Sequence, residues 1–307
     1  MFSSERLKGI DVFVCVAEAG SFTAAAERLH LTTSAVSKAV ARLEKRLQVR
    51  LFLRTTRHLA LTEEGESFYR ACTGVLSHLE EAELALHRQS HELRGRIRID
   101  LPVSYGRLHV LPAILSFLEQ HPLLEPNITF SDRFVDPVEE GIDLLVRSGG
   151  SGIWPGAVEH HQLGIQRLIL CASPHYLNQW GVPQSEQALS QHRCILYCRG
   201  DGSLSPLRIP GQEGTLKPQH SRLALGDTEG LVMAAVAGQG IVQLPTWLLA
   251  RPLAEGALVR VLPELSISGM PISLAWLKSR ARLPKVSALR DWLVENLAPS
   301  LAERPAP

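Results

Sequence analysis

The 307-residue chain lacks the marks of an enzyme. It holds no phosphate-cradling P-loop, no dinucleotide fingerprint, no metalloprotease helix motif and no nucleophile elbow. The string Gly149-Gly150-Ser151-Gly152-Ile153 stops short of the final glycine that an elbow needs. No catalytic residue is therefore expected. No Cys/His cluster has structural-zinc spacing, and the neighbours His160 and His161 would point to opposite faces of a strand. Neither a metal nor a cofactor is expected. Cysteine is sparse and odd in number: Cys15, Cys72, Cys171, Cys194 and Cys198. Reduced thiols are the default in such a chain. Cys194 and Cys198, four apart on a strand, would share a face, which leaves a thiol-based redox sensor as an alternative reading. The N-terminus has no basic-then-apolar export pattern. The uncharged run 231–250 is long enough to span a bilayer, but Gly238, Gln239, Gly240, Gln243 and Pro245 interrupt it. A buried helix, turn and strand fit it better, so no membrane partner is expected and the chain reads as cytoplasmic.

Net charge is also nearly absent, at +1, but its distribution is uneven. Residues 1–60 carry ten Lys/Arg and five Asp/Glu, residues 61–94 carry three and seven, and residues 95–307 carry nineteen of each. A basic head, an acidic connector and a neutral body result. Only the head suits a polyanion.

What is there begins at residues 21–57. Ser21 caps a short helix over Thr23–Leu29, whose Ala24, Ala25 and Ala26 permit close packing. His30 and Leu31 turn the chain, and Thr32 caps a second helix. There Val36, Val40, Leu43 and Leu47 recur at helical spacing as a buried face. Thr33, Ser34, Ser37, Lys38 and Arg42 fill the opposite face. Short hydroxyls at a helix N-terminus reach base edges, and cations further along meet phosphates. Leu51–Leu53 and Leu59–Leu61 read as two short strands around the basic tip Arg54-Thr55-Thr56-Arg57-His58. Eight basic residues lie between Arg28 and Arg57, with Glu44 the one acid among them. The expected double-stranded DNA contacts are Thr32, Thr33, Ser34, Ser37, Lys38, Arg42, Arg54 and Arg57. A solvated amphipathic helix is the bland alternative, and the flanking turn and wing argue against it.

The segment from Phe13 to Gly65 resembles the DNA-binding domain of LysR-type transcriptional regulators. The matching residues are Phe13, Val16, Ala17, Gly20-Ser21-Phe22, Ala25-Ala26, Leu29, Ala35-Val36-Ser37, Leu43-Glu44, Leu51-Phe52, Arg54, Arg57, Leu61-Thr62 and Gly65. Thr33 and Ala39 depart from the glutamines that family members often carry there. The resemblance implies an all-α winged helix-turn-helix over residues 1–61 with a self-pairing linker helix over 62–90. The sequence supports the pairing on its own. Phe68, Cys72, Val75, Leu79, Ala82 and Leu86 alternate by four and three as a heptad stripe, which would make a homodimer that presents two recognition helices to a two-fold operator.

Residues 91–307 alternate strands with helices, which argues an α/β body with a largely parallel sheet. Val135-Asp136, Glu139-Glu140-Gly141, Asp143, Arg147, Ala172-Ser173-Pro174, Tyr176-Leu177, Asp227-Thr228, Ala237-Gly238, Gly240-Ile241 and Leu244-Pro245 resemble the effector domain of the same family. That resemblance implies a two-lobed, periplasmic-binding-protein-like fold, with lobe I at about 95–166 and 268–307 and lobe II at about 167–267. It also implies a small-molecule effector between the lobes and homotetramers formed through the effector domains. The glycine-rich stretch 149–156 replaces a segment that more often carries Asp and Ser. Strand ends and helix starts place Ser104, Tyr105, Arg147, Ser148 and Thr228 in the cleft. Hydroxyls, helix N-termini and one arginine favour a small carboxylate. The local alternative is that Ser104 and Thr228 cap their helices and Arg147 pairs with Asp143. A small-molecule-binding protein with an accessory DNA-binding head is the competing reading of the whole chain.

Overall fold

The structure, a computed structural model, describes residues 8–54, 59–86, 92–133, 135–149, 154–210, 215–216 and 220–301. Residues up to 98 group with 123–125 and 135–143 into one compact unit. Residues 99–122, 126–133 and 144–301 form the other.

The first unit opens with three helices, Ile10–Ala19, Phe22–Arg28 and Thr33–Leu47. Both expected caps form. Ser21 Oγ accepts from the Thr23 N–H and Thr32 Oγ1 from the Ala35 N–H, each at 3.2 Å. His30 adopts a positive φ of 52° in the turn, and Gln48 ends the recognition helix at φ 57°. Val36, Val40 and Leu43 bury against Phe13, Val16, Ala25 and Ala26. The strands Phe52–Arg54 and Leu59–Leu61 then pair antiparallel, Phe52 opposite Leu61. The tip between them, Arg57 included, lies outside the described residues.

A knot of backbone contacts fastens this wing to two helices. Glu44 Oε1 accepts from the N–H groups of Leu51 at 2.9 Å and Phe52 at 3.3 Å. Thr62 donates its hydroxyl to the Arg50 carbonyl at 2.7 Å and accepts from the Gly65 N–H at 2.9 Å. Gly65 has no side chain for a reason of space: a Cβ there would sit 2.1 Å from the Leu51 carbonyl oxygen.

The long helix Glu63–Leu86 follows, with Glu63, Glu64 and Glu66 in its first turn, where the helix dipole favours acids. Its apolar stripe divides. Phe68 packs its ring 5.4 Å from that of Phe13, and Cys72 is buried in the same core. Both pack on their own chain, where the rings of Phe13 and Phe52 present an aromatic surface to this side of the helix. Val75 and Leu79 stay 47 % and 50 % exposed. The side chains of Ala82 and Leu86 lie outside the described residues.

The body holds a mixed sheet, not the largely parallel one expected. In order across it run Val242–Pro245, Val158–Ala172, Ile267–Leu277, Leu144–Ser148, Arg94–Leu101 and Leu123–Phe130, and Val259–Val261 also pairs with Val158–Ala172. Val158–Ala172 and Ile267–Leu277 are long antiparallel neighbours, Leu168 facing Ile267 and Val158 facing Leu277. Parallel contacts include Arg94–Leu101 with Leu144–Ser148, the bridge between Cys194 and Ile241 and, in a separate three-stranded sheet, His220–Leu225 with Arg193–Cys198. Alternating helices concealed this, because the two longest strands are joined by a whole lobe and return side by side. The apolar cores of that lobe gather Leu170, Tyr176, Leu189 and Ile241 on one side and Ile169, Leu231, Val242 and Leu249 on the other. The uncharged run resolves into the helix Thr228–Val236, a turn, the strand Val242–Pro245 and the helix Thr246–Ala254. No described helix is long and apolar enough to cross a membrane.

The helix expected from Arg107 is interrupted. Val103–Tyr105 starts it, Gly106–Val110 forms a π turn, and Leu111–Gln120 completes it. Gly106 sits against the strand before it, where a Cβ would meet Leu101 Cβ at 2.7 Å. Such π turns recur at functional sites.

The knot makes a prediction. Gly65→Ala must displace the Leu51 carbonyl, an overpacking that costs about 1–3 kcal/mol. Urea denaturation followed by far-UV circular dichroism should show an earlier midpoint than wild type, and an unchanged midpoint would refute the close contact.

Candidate nucleic-acid interface and ligand cleft

The recognition helix presents Thr33, Ser34, Lys38 and Arg42 as exposed side chains, with Ser37 half-buried beside them. Thr32 is exposed too, but its hydroxyl oxygen already accepts from Ala35. Its remaining hydroxyl hydrogen is what it has to offer a phosphate. Arg42 curls back so that Nε donates to the Lys38 carbonyl at 3.3 Å. Arg54 ends the first wing strand, and its side chain, like all of Arg57, is outside the described residues. Glu44 turns inward to the backbone amides of the wing, so it does not oppose a polyanion from the exposed face. Sequence reasoning counted it only as an interruption. Its position seven residues before Leu51 was the available signal.

In the body, Ser104, Tyr105 and Thr228 come together. Ser104 Oγ and Thr228 Oγ1 lie 2.7 Å apart, 124 residues distant in sequence. Tyr105 is buried against Trp247, with ring centroids 5.2 Å apart and edge to face. Trp247 Nε1 donates to Gln166 Oε1 at 3.2 Å, and Gln166 Nε2 donates to Ser148 Oγ. Ser148 thus joins the cluster through two side chains that the sequence did not single out, Gln166 and Trp247. Arg107 adds an exposed ion pair to Glu229 at 2.5 Å.

Arg147 goes elsewhere. Its guanidinium pairs with Asp100, which is 4 % exposed at its side chain and also accepts from Thr129. The expected local partner, Asp143, instead accepts from the Arg98 backbone N–H at 2.7 Å. The backbone donors at the two helix starts are engaged as well. Val103 N–H donates to Asp132 at 3.0 Å, and Gly230 N–H to Asp227 at 2.6 Å. Thr228 therefore does not cap its helix; Asp227 does. Burial, then the Asp132 and Asp227 carboxylates, hold the nearby Tyr197 phenol above its ordinary pKa.

The cysteines differ in their surroundings. Cys72 is pushed up to about 11, and Cys171 and Cys194 up to about 12, by burial above all. Cys194 and Cys198 occupy one strand, Arg193–Cys198. Four residues of strand span roughly 13 Å, beyond the Cα separation a disulfide tolerates. No group of metal-ligating side chains occurs among the described residues.

A winged helix-turn-helix, a long connector helix and an α/β body are the architecture of a DNA-binding regulator with a ligand-sensing domain. Family comparisons agree. Residues 7–66 match the bacterial regulatory helix-turn-helix protein, lysR family, and residues 90–298 match the LysR substrate binding domain. The chain is 31 % identical over 292 residues to the uncharacterized HTH-type transcriptional regulator YhjC of Escherichia coli, covering 94 % of this chain and 97 % of that one. It is 30 % identical over 297 residues to the HTH-type transcriptional activator AaeR of Escherichia coli, covering 95 % of each. The solved structure of CrgA, a LysR-type transcriptional regulator from Neisseria meningitidis, superposes with a TM-score of 0.61 at 30 % identity, over 97 % of this chain and 99 % of that one. The chain belongs to the LysR family of transcriptional regulators, which bind DNA and small-molecule effectors and form oligomers.

Two outcomes follow from the side-chain partners. Asp100→Asn leaves Arg147 as a buried charge without its counter-ion, and breaking such a pair costs about 3–5 kcal/mol. A urea midpoint equal to wild type would show that the pair carries no stability. Under native conditions at pH 8, Cys198, the one described cysteine that is not buried, should react fastest with Ellman's reagent. Cys198→Ser should remove that fast phase, and a fast phase that survives the substitution would place a reactive thiol elsewhere.

Proposed function

We propose that this protein is a cytoplasmic homo-oligomeric transcription factor that reads a two-fold operator and responds to a small effector held at the Ser104–Thr228 pair. The observation that carries the reading is the hydrogen bond between those hydroxyls, because it joins helix starts from two distant parts of the body at a single point. One hydroxyl hydrogen is consumed in that bond. A carboxylate placed there would accept from both hydroxyls, replacing a neutral bond by two charge-assisted ones. Small carboxylates are thus the effector class, with Trp247 and Tyr105 as the apolar wall and Gln166 and Ser148 as further polar contacts. Arg147, committed to Asp100, takes no direct part. In the head, Ser34, Ser37, Thr33 and Lys38 read base edges, and Arg42, Arg54 and Arg57 meet the backbone or the adjacent minor groove. Val75 and Leu79, with Ala82 and Leu86 beyond them, form the seam of a dimer. Tetramers form through the effector domains.

Three measurements test the parts separately. Ser34→Ala or Ser37→Ala should weaken binding to the cognate promoter by about 1–3 kcal/mol and leave random DNA nearly unaffected. Wild-type affinity in both variants removes the recognition-helix assignment. Val75→Asp with Leu79→Asp buries charge at the seam and should give monomers in analytical ultracentrifugation. Dimers of wild-type strength in the variant refute the seam. In a thermal-shift screen, a small acid should raise the melting temperature of wild type but not of Thr228→Val or Ser104→Ala. Equal stabilisation of the variants removes the site, while equal stabilisation by the matching amide removes the carboxylate class and leaves the site.

A further inference from the structure

Glu18 stands in the last turn of the first helix, Ile10–Ala19. The helix dipole disfavours an acid at that end, and no basic residue shares the turn. What holds its carboxylate lies outside the helix. Arg96 Nη1 donates to Glu18 Oε1 at 2.5 Å, and Arg28 Nη2 to Glu18 Oε2 at 3.4 Å. Arg96 also reaches Glu125 through Nε at 3.4 Å. Arg28 belongs to the helix-turn-helix, whereas Arg96 lies on Arg94–Leu101, the first strand of the ligand-binding domain. Both arginines are half exposed, but the Glu18 side chain is only 18 % exposed. All four residues belong to one compact unit, that of residues up to 98 with 123–125 and 135–143.

The ground beneath the pair is charged as well. Burial, and next the Glu18 carboxylate, hold the Tyr69 phenol of the connector helix above its ordinary pKa, while Arg98 and Arg96 pull it down. Head, connector and strand thus bring Glu18, Tyr69, Arg96 and Arg98 into one neighbourhood. Arg98 lies two residues along the strand from Arg96. Its Nη1 is buried beside Gly141, where a Cβ would meet it at 3.4 Å, and has no hydrogen-bond partner. A buried guanidinium nitrogen without a partner destabilises the arrangement that buries it. The ion pairs act in the opposite sense, and a pair open to solvent contributes little on its own. Two small opposed terms make a contact that can open.

We propose that Glu18 is a latch between the DNA-binding head and the first strand of the ligand-binding domain. Latched, its carboxylate bridges Arg28 and Arg96 and fixes the head on that strand. Unlatched, Glu18 keeps Arg28, Arg96 keeps Glu125, Arg98 Nη1 returns to water, and the head is free to change its angle. The strand continues past Arg98 into the sheet, where Ile99 pairs with Leu144. A shift of that strand therefore reaches the helix-turn-helix through a side-chain contact as well as along the connector. The latch does not depend on which effector the body takes.

The test uses the full-length protein with Cys198→Ser and spin labels at Thr23→Cys and Glu139→Cys, two exposed positions outside the network. Dilution with unlabelled protein lets pulsed electron paramagnetic resonance read the distance within one chain. At low ionic strength the wild type should give one dominant distance. Glu18→Gln, and Arg96→Gln from the other side, should each raise the population at a second distance roughly two- to fivefold, the effect of losing one such ion pair. The double variant should be no more open than the more open single one, because both remove the same interaction. Arg28→Gln, which removes only the link inside the head, should keep the wild-type distance. Salt at about 1 M, where charges are screened beyond about 3 Å, should open the wild type to the level of Glu18→Gln and leave that variant nearly unchanged. Variants that keep the wild-type distribution overturn the latch. So does a wild type already as broad as the variants at low salt, or opening that adds in the double variant.

Discussion

The chain passes twice between the lobes of the body, and the two passing strands are hydrogen-bonded to each other. Val158–Ala172 goes out, Ile267–Leu277 comes back, and their ladder runs from Val158 opposite Leu277 to Leu168 opposite Ile267. Two independent linkers would let the lobes swing freely. A shared ladder restricts them to bending and twisting about one ribbon. The ladder is irregular, with register shifts between Ser268 and Pro271 and between Ile272 and Ser273. Bulges of this kind raise local twist and interrupt pairing. The Ser104–Thr228 bond, the Tyr105–Trp247 contact and the Arg107–Glu229 pair join residues that the outgoing strand separates in sequence. A ligand that prefers one spacing of those groups shifts the population toward it.

Electrostatics in the head follow a different economy. A dense run of cations would repel itself, and the one acid within it, Glu44, is not placed as a counter-ion. It binds two backbone amides and so turns the chain into the wing. The exposed face keeps its positive charge for phosphates, and the fold still gains a charge-assisted contact. Thr62 and Gly65 complete the same junction from the other side, so recognition helix, wing and connector meet within a few residues.

Local features of the head were legible in the sequence. Ser21 and Thr32 cap their helices as short hydroxyls before apolar-periodic runs do, and Val36, Val40 and Leu43 bury at the spacing that marks them. What escaped the sequence was non-local. The partner of Arg147 is Asp100, 47 residues away and on a neighbouring strand, while the nearer Asp143 serves a backbone amide. Periodicity gives the face of a strand but not the direction of its neighbour, so the antiparallel pair of long strands was missed. The heptad stripe was visible, but not its division between Phe68 and Cys72 on one side and Val75 and Leu79 on the other. That division depends on where Phe13 and Phe52 sit. Gln166 and Trp247 gave no signal, because their importance comes only from what they touch.

The division of the connector helix has a mechanical meaning. Its first turns are part of the same packed core as the recognition helix, through Phe68 against Phe13 and through Gly65 against Leu51. Head and helix therefore move as one stiff arm, without a joint at the point where a joint would be easiest to place. In the dimer proposed above, two such arms clasped further along would set the gap between their recognition helices, like the gap of a fixed caliper. An operator whose half-sites do not match that gap is met by deforming the duplex, and the sequence between the half-sites, which no side chain touches, then enters affinity through its stiffness.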